Sequence, residues 1–392
     1  MPRTQSRRRT RPKGRRYLAI GLAAAALVGT ALLLLRPDAA PVRAPTASAA
    51  VAVKLLLDGP YGARFAGELS ASRQGYFSSR IEMAAQPEDP EFVQTIARQR
   101  AIGVTSGQKF LLASWRGVPV TAFAASFLDT SVAIFTLEAS GLRRPADLVG
   151  KRVGYRRASE GDVVFDAMMA QLGLPRSQIT KVPDRDSFEA LRGGQVDAII
   201  AGIDEQPDPS SSTFTKLNVI KPQDYGIHVP GLVYFASNAL VHEQPSMIAD
   251  VLQGLIRGWQ FTYADYARSV PVLAGTGPAS LNPERLKFEL QQLRPLVLPT
   301  GGRIGDYDES RWRTLRDILL FAKLGEEDVP LAQTVNYQFL RDVYRRSPRP
   351  CCPGRLERGK IGPRSHSCPP YRYKGPPQAA PSVAFLALAL VI

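Results

Sequence analysis

Nine polar residues of this 392-residue chain fall where a short apolar strand pattern gives way to a loop. They are Asp58 and Tyr61 after a first strand, Ser106 and Gln108 after a third, and Ser126 after a fourth. Further on stand Ser159 with Glu160, then Asp204 with Glu205. In α/β sheets, ligands bind in the crevice outside the carboxyl ends of the strands, so these positions are the candidate contacts. Hydroxyl and amide groups there hydrogen-bond a small molecule, and carboxylates favour an amino-bearing ligand over an anion. A polar loop at a helix start also presents unsatisfied backbone N–H groups. Each group has a plainer use as well. Ser106 and Ser159 suit helix N-caps, Tyr61 suits core packing, and Asp204 with Glu205 suits a solvated turn.

Catalytic and metal constellations are missing from the sequence. No Ser-His-Asp order, Walker loop, G-x-G-x-x-G or H-E-x-x-H occurs. Before Cys351 the chain has no cysteine, and its body has only His228 and His242. Thiol chemistry and cysteine-bound metal are therefore excluded from the body, and no cofactor is expected.

The elements that must position the candidates alternate in type. Val51 to Leu57 reads as a strand, Ala63 to Gln74 as a helix stopped by Gly75, and Ile81 to Ala84 as a second strand. Glu91 to Gln99 (helix), Ala101 to Val104 (strand), Gln108 to Trp115 (helix) and Val118 to Ala124 (strand) follow. Val132 to Thr136 leads into a second series, with strands at 153–155, 179–182 and 196–201. Asp162 to Leu172 is amphipathic, with apolar positions at 165, 168, 169 and 172. Asp186 to Glu189 fits a capping box for the next helix, and Leu232 to Leu240 reads as a returning strand. Helical stretches at 245–266, 283–293 and 310–323 close the body. Short β and α pieces in alternation imply an α/β fold with mainly parallel sheets.

The run IFTLEASGLRRPADLVGKRVGY (residues 134–155) resembles the signature opening the second lobe of substrate-binding proteins for alkanesulfonates, taurine and thiamine-pyrimidine precursors. Gly75-Tyr76-Phe77, GGQVDAIIAG at 193–202 and Lys221-Pro222-Gln223-Asp224-Tyr225-Gly226 are similar to that family as well. The resemblance implies a two-lobed, type-2 periplasmic binding protein fold, each lobe a mainly parallel sheet flanked by helices. Lobe one would take about residues 51–136 and 232–346, lobe two about 142–230, with a hinged ligand cleft between them. Family members line that cleft from the loops that carry the nine candidates. The implied function is capture of a small molecule, as solute receptor of an ABC importer that delivers to a permease. A ligand-sensing input domain with a cytoplasmic signalling module is the alternative, and the segment from Ile304 to Trp312 resembles C-terminal parts of such sensors.

The family's pyrimidine-synthase relatives use a histidine and a cysteine-rich iron motif, and this cysteine-free body departs from them. The acidic Asp204-Glu205 pair leans toward a pyrimidine-like ligand. Leu57-Asp58-Gly59-Pro60, where thiamine-precursor binders often carry W-x-P-N, departs from that lean. No arginine clamp for a sulfonate is evident, although Arg64, Arg156 and Arg157 lie nearby in sequence.

The net charge of +15 belongs to the ends. Residues 1–16 carry eight Lys/Arg and no acid, and residues 347–392 carry seven with only Glu357 opposing them. A near-neutral body argues against nucleic acid as a partner. The basic segment precedes an apolar run, Tyr17 to Leu35, which would make roughly 28 Å of helix at about 1.5 Å per residue. That pattern predicts a signal anchor, or a signal peptide, tethering an extracytoplasmic protein to the inner membrane. A Pro/Ala linker would cover 36–50. The last 46 residues hold nine prolines and read as a disordered or out-of-frame tail.

Overall fold

Ten strands alternate with helices along the chain. They are β1 (Val53–Asp58), β2 (Ile81–Gln86), β3 (Ile102–Ser106), β4 (Val120–Ala125), β5 (Val132–Leu137), β6 (Arg152–Tyr155), β7 (Thr180–Pro183), β8 (Ala198–Gly202), β9 (Leu217–Ile220) and β10 (Leu232–Ser237). The helices are α1 (Ala66–Arg73), α2 (Phe92–Gln99), α3 (Gly107–Trp115), α4 (Glu160–Gln171), α5 (Phe188–Arg192), α6 (Asn238–Glu243), α7 (Pro245–Ala264), α8 (Tyr266–Ala274), α9 (Pro283–Val297), α10 (Glu309–Phe321), α11 (Leu331–Thr334) and α12 (Gln338–Arg346). These come from a computed structural model that describes residues 52–78, 81–208, 215–276, 281–300, 302–325 and 331–346. The expected anchor at 17–35, the linker at 36–50 and the tail at 347–392 lie outside the described residues. Among the described residues no helix is long and apolar enough to cross a membrane.

The strands form two five-stranded sheets with one shared plan. The first runs β2-β1-β3-β10-β4 and the second β7-β6-β8-β5-β9. In each, four strands point one way and the fourth in order is reversed: β10 is antiparallel to β3 and β4, and β5 to β8 and β9. Each reversed strand follows a crossing from the other lobe. A strand that enters from the far side must run against its neighbours. All six positions of β4 and of β10 are buried, as strands covered on both faces require.

Four details differ from the sequence reading. The strand at 132–136, counted with lobe one, hydrogen-bonds β8 and β9 as β5 and so belongs to the second sheet. The returning strand stops at Ser237, whose hydroxyl caps α6 by accepting the Leu240 N–H. The cap of α5 is Ser187, accepting the Ala190 N–H at 3.1 Å, and not Asp186. Asp186 instead pairs with Arg156 at 3.3 Å, which draws its carboxylate away from the helix start. Strand β9, unforeseen, pairs with β5 at the sheet edge.

Helices α1 and α7 meet closely on lobe one because glycines face each other there. A Cβ on Gly258 would stand 2.0 Å from the Gly67 carbonyl oxygen, and one on Gly67 would stand 2.3 Å from the Trp259 ring. The Ser70 and Thr262 hydroxyls hydrogen-bond across that contact at 2.8 Å.

Between the sheets the chain crosses near Leu128–Ser131 and again near Ile227–Gly231. The crossings hold each other: Gly231 N–H donates to the Phe127 carbonyl at 3.0 Å, and Ser126 N–H to that of Leu232 at 2.7 Å. The Gln223 side-chain amide donates to the Thr130 carbonyl.

Candidate functional site

At the first lobe's end of the cleft, β1 delivers Asp58. Its Oδ2 accepts from the Thr105 hydroxyl and from Lys109 Nζ at 2.7 Å. Its Oδ1 is buried with no partner among the described residues. Asp58 thus keeps one uncommitted acceptor, with its charge offset by Lys109. Tyr61 packs half-buried against the lobe-one core. Ser106 caps α3 by accepting the Lys109 N–H at 3.1 Å, so its plainer reading holds. Gln108 is buried in the first turn of that helix. Ser126 is fully buried and accepts from the Tyr234 hydroxyl at 3.2 Å, and Tyr234 in turn accepts from Trp259 Nε1 at 2.8 Å. That network turns Ser126 into the lobe.

Beneath it sits a residue that the sequence reading passed over. Glu68, in the first turn of α1, is wholly buried, and both carboxyl oxygens lack a hydrogen-bond partner within normal geometry. Burial pushes its carboxyl up to about 7, against smaller opposing effects of its own backbone N–H and of Tyr234.

In the second lobe, β6 and β8 end side by side. Ser159 caps α4, accepting the Asp162 N–H at 3.2 Å and donating to the Arg156 carbonyl at 2.8 Å, so its hydroxyl is consumed locally. Glu160 begins that helix with Oε1 buried and unpartnered. Burial pushes its carboxyl up to about 7, while the Thr130 hydroxyl and the Arg64 charge work the other way. Asp204 is buried, with Oδ1 unpartnered. Glu205 is exposed, and its carboxyl lies beside that of Asp204. A Cβ on Gly202 would lie 2.8 Å from Asp204 Oδ1 and 2.9 Å from Glu205 Oε1. Partial burial and then the Asp204 charge raise the Glu205 carboxyl, and Arg64 opposes them.

Asp204 and Glu205 thus lie side by side, and the charge of Arg64, from the 3-10 turn Ala63–Phe65 of lobe one, reaches both Glu160 and Glu205. Arg156 and Arg157 instead pair with Asp186 and Asp184. Among the described residues no group of three or more His, Cys, Asp and Glu is placed to hold a metal ion. Asp58 Oδ1, Glu160 Oε1 and Asp204 Oδ1 are thus buried oxygens without a hydrogen-bond partner among the described residues. The sequence showed no evident arginine clamp and named Arg64 only with Arg156 and Arg157; that the Arg64 charge reaches Glu160 and Glu205 is a long-range relationship with no local signal.

Two sheets of shared topology joined by paired crossings, with polar strand ends facing each other, define a periplasmic-binding-protein fold. The chain belongs to the NMT1/THI5-like family, whose model matches residues 63–268. It is similar to the periplasmic aliphatic sulphonate binding protein SsuA from Escherichia coli, 18% identical with a TM-score of 0.58, over 72% of this chain and 96% of that one. A Haemophilus influenzae protein named for thiamine biosynthesis is 26% identical over 38% of this chain and 49% of its own length. The 4-amino-5-hydroxymethyl-2-methylpyrimidine phosphate synthase of Schizosaccharomyces pombe is 28% identical over 32% of this chain and 38% of its own. The chain thus spans about half or less of the length of these curated relatives.

Proposed function

We propose that the protein captures a small molecule bearing N–H donors, of aminopyrimidine type, between its lobes. It then acts as an extracytoplasmic solute receptor of an ABC-type importer, handing the ligand to a permease. The observation that carries this reading is the pair of buried, unpartnered acceptors on lobe two, Glu160 Oε1 and Asp204 Oδ1. Leaving such groups unpaired is costly, so a ligand that donates to them gains binding energy. Lobe closure follows because the ligand prefers the state in which both lobes touch it.

Thermal shift of the full chain tests this with 4-amino-5-hydroxymethyl-2-methylpyrimidine, whose name the fission yeast relative carries, against taurine, methanesulfonate and nitrate. A saturable rise in Tm with the aminopyrimidine, abolished by Asp204→Asn, supports the reading. A rise with the sulfonates alone would overturn its ligand class.

The synthase name of one relative favours catalysis as a second reading, with the Glu160 carboxyl as its acid or base. Product formation from that aminopyrimidine's precursors, lost in Glu160→Gln, would establish it.

A further inference from the structure

Arg285 is rooted in lobe one and acts on lobe two. Leu286, Leu290, Leu293 and Val297 are the buried face of α9, and the helix packs against α8 and against the 3-10 turn that carries Arg64, both in lobe one. From there the Arg285 guanidinium reaches the loop after β8. Nη2 donates to the Asp204 carbonyl at 2.7 Å, Nη1 donates to the Gln206 carbonyl, and Nε pairs with Glu289 one turn along at 2.6 Å. One planar group thus holds two carbonyls of the acidic loop while a carboxylate fixes its own orientation.

Three other hydrogen bonds of that loop stay within its own half of the molecule. Glu205 N–H donates to the Gly202 carbonyl at 2.9 Å, and the Gln206 side-chain amide to that of Ile203 at 2.9 Å. Ile203 N–H donates to Ser131 at the crossing. None of these orients the loop toward lobe one. A rotation about the crossings moves α9 with one lobe and the loop with the other, so both Arg285–carbonyl bonds must break when the cleft opens.

We infer that Arg285, oriented by Glu289, is the positioning residue of the cleft: its grip on the Asp204 and Gln206 carbonyls forms with lobe closure and aims the Asp204 carboxylate at the ligand. The aiming rests on the ligand-capture reading above; the closure does not. With both flanking carbonyls held, Asp204 keeps only its side-chain torsions, so its buried oxygen meets a ligand without a further ordering cost. The Arg64 turn packs on the same helix, and its charge reaches Glu160 and Glu205.

Hydrogen–deuterium exchange on the full chain tests closure without any ligand. In Arg285→Ala, amides of both cleft walls, residues 61–68 and 203–208, exchange about tenfold faster while those of α9 and the sheets keep their protection. Glu289→Gln gives a smaller rise. Arg285→Lys, which holds one carbonyl at a time, falls between wild type and Arg285→Ala. If Arg285→Ala loses protection throughout, the Lys and Gln variants carry the decision. Unchanged exchange at both walls in those variants overturns the inference.

Titration with the same aminopyrimidine reads the aiming. Arg285→Ala weakens its binding about tenfold, with partial rescue by Lys. Equal affinity in wild type and Arg285→Ala overturns the positioning role. A chain that binds no probe but shows wall exchange controlled by Arg285 rejects the ligand reading and keeps the closure contact.

Discussion

Arg311 on α10 holds the Asp129 carboxylate with two bonds, Nε at 3.1 Å and Nη2 at 3.0 Å, at the first crossing between the sheets. His228, on the second crossing, meets the same carboxylate at 3.2 Å. One carboxylate therefore joins both crossings to a helix of the C-terminal part. Burial works to raise this carboxyl, but the hydrogen bonds from His228 and Arg311 outweigh it and hold it below the usual range.

Arg311→Ala should therefore destabilise the chain by about 2 kcal/mol, since it strands a largely buried carboxylate. The sign of the pH effect follows from the lowered value. The stability from Asp129 is present above its unfolded pKa of 3.8 and is lost as pH falls through the lower folded one. Urea unfolding at pH 7 and at pH 3 checks this, with the gap between variant and wild type narrowing at the lower pH.

Glu68 predicts the opposite trend. Its folded carboxyl, raised to about 7 from 4.5, binds protons that the unfolded chain releases. The contribution is fully present below pH 4.5 and is lost as pH rises through 7. Over that window the loss is on the order of 3 kcal/mol. Glu68→Gln should flatten the slope of stability between pH 5 and 8 and exceed wild type at pH 8, as measured by Tm across that range.

Glu160 carries the pH dependence of binding. Its carboxyl, raised to about 7, accepts N–H donors best when ionised, so affinity for an aminopyrimidine should climb as pH passes from 6 to 8. Calorimetric titration across that range should show the climb in wild type and a shallower one in Glu160→Gln, which leaves Glu205 as the other raised carboxyl of the site.

Gly258→Ala should cost about 3 kcal/mol, because its Cβ would meet the Gly67 carbonyl at 2.0 Å and force α7 from α1. Gly202→Ala makes the contrasting case. There the obstructing atoms are the ends of the Asp204 and Glu205 side chains, which swing aside. Its Tm should stay within a few degrees of wild type while ligand affinity falls, as thermal shift with and without the aminopyrimidine would show.

Local chemistry was legible without coordinates. A serine before an apolar period forecasts a cap, and Ser106 and Ser159 both cap their helices. The alternation of strand and helix forecast mainly parallel sheets, and the rule of carboxyl ends named the two loops that now carry Glu160, Asp204 and Glu205. Such features depend on neighbours within a helical turn or a strand, which spacing encodes directly. Where two local solutions competed, the pattern misled: Asp186 and Ser187 both suit a cap, and the pairing of Asp186 with Arg156 left the role to Ser187.

What spans the molecule had no such trace. Arg285 lies 81 positions from Asp204 and Arg311 lies 182 from Asp129, and nothing in the spacing of those residues marks them as partners. The sequence by itself determined most of the elements and the helix caps at Ser106 and Ser159. Only the tertiary structure decided which polar groups are consumed within a lobe, as Ser126 is, and which keep a buried oxygen without a partner, as Glu160 and Asp204 do. Burial and the partners that satisfy a buried group are set by the order of the strands and the closure of the lobes, and neither is a property of a short stretch of chain.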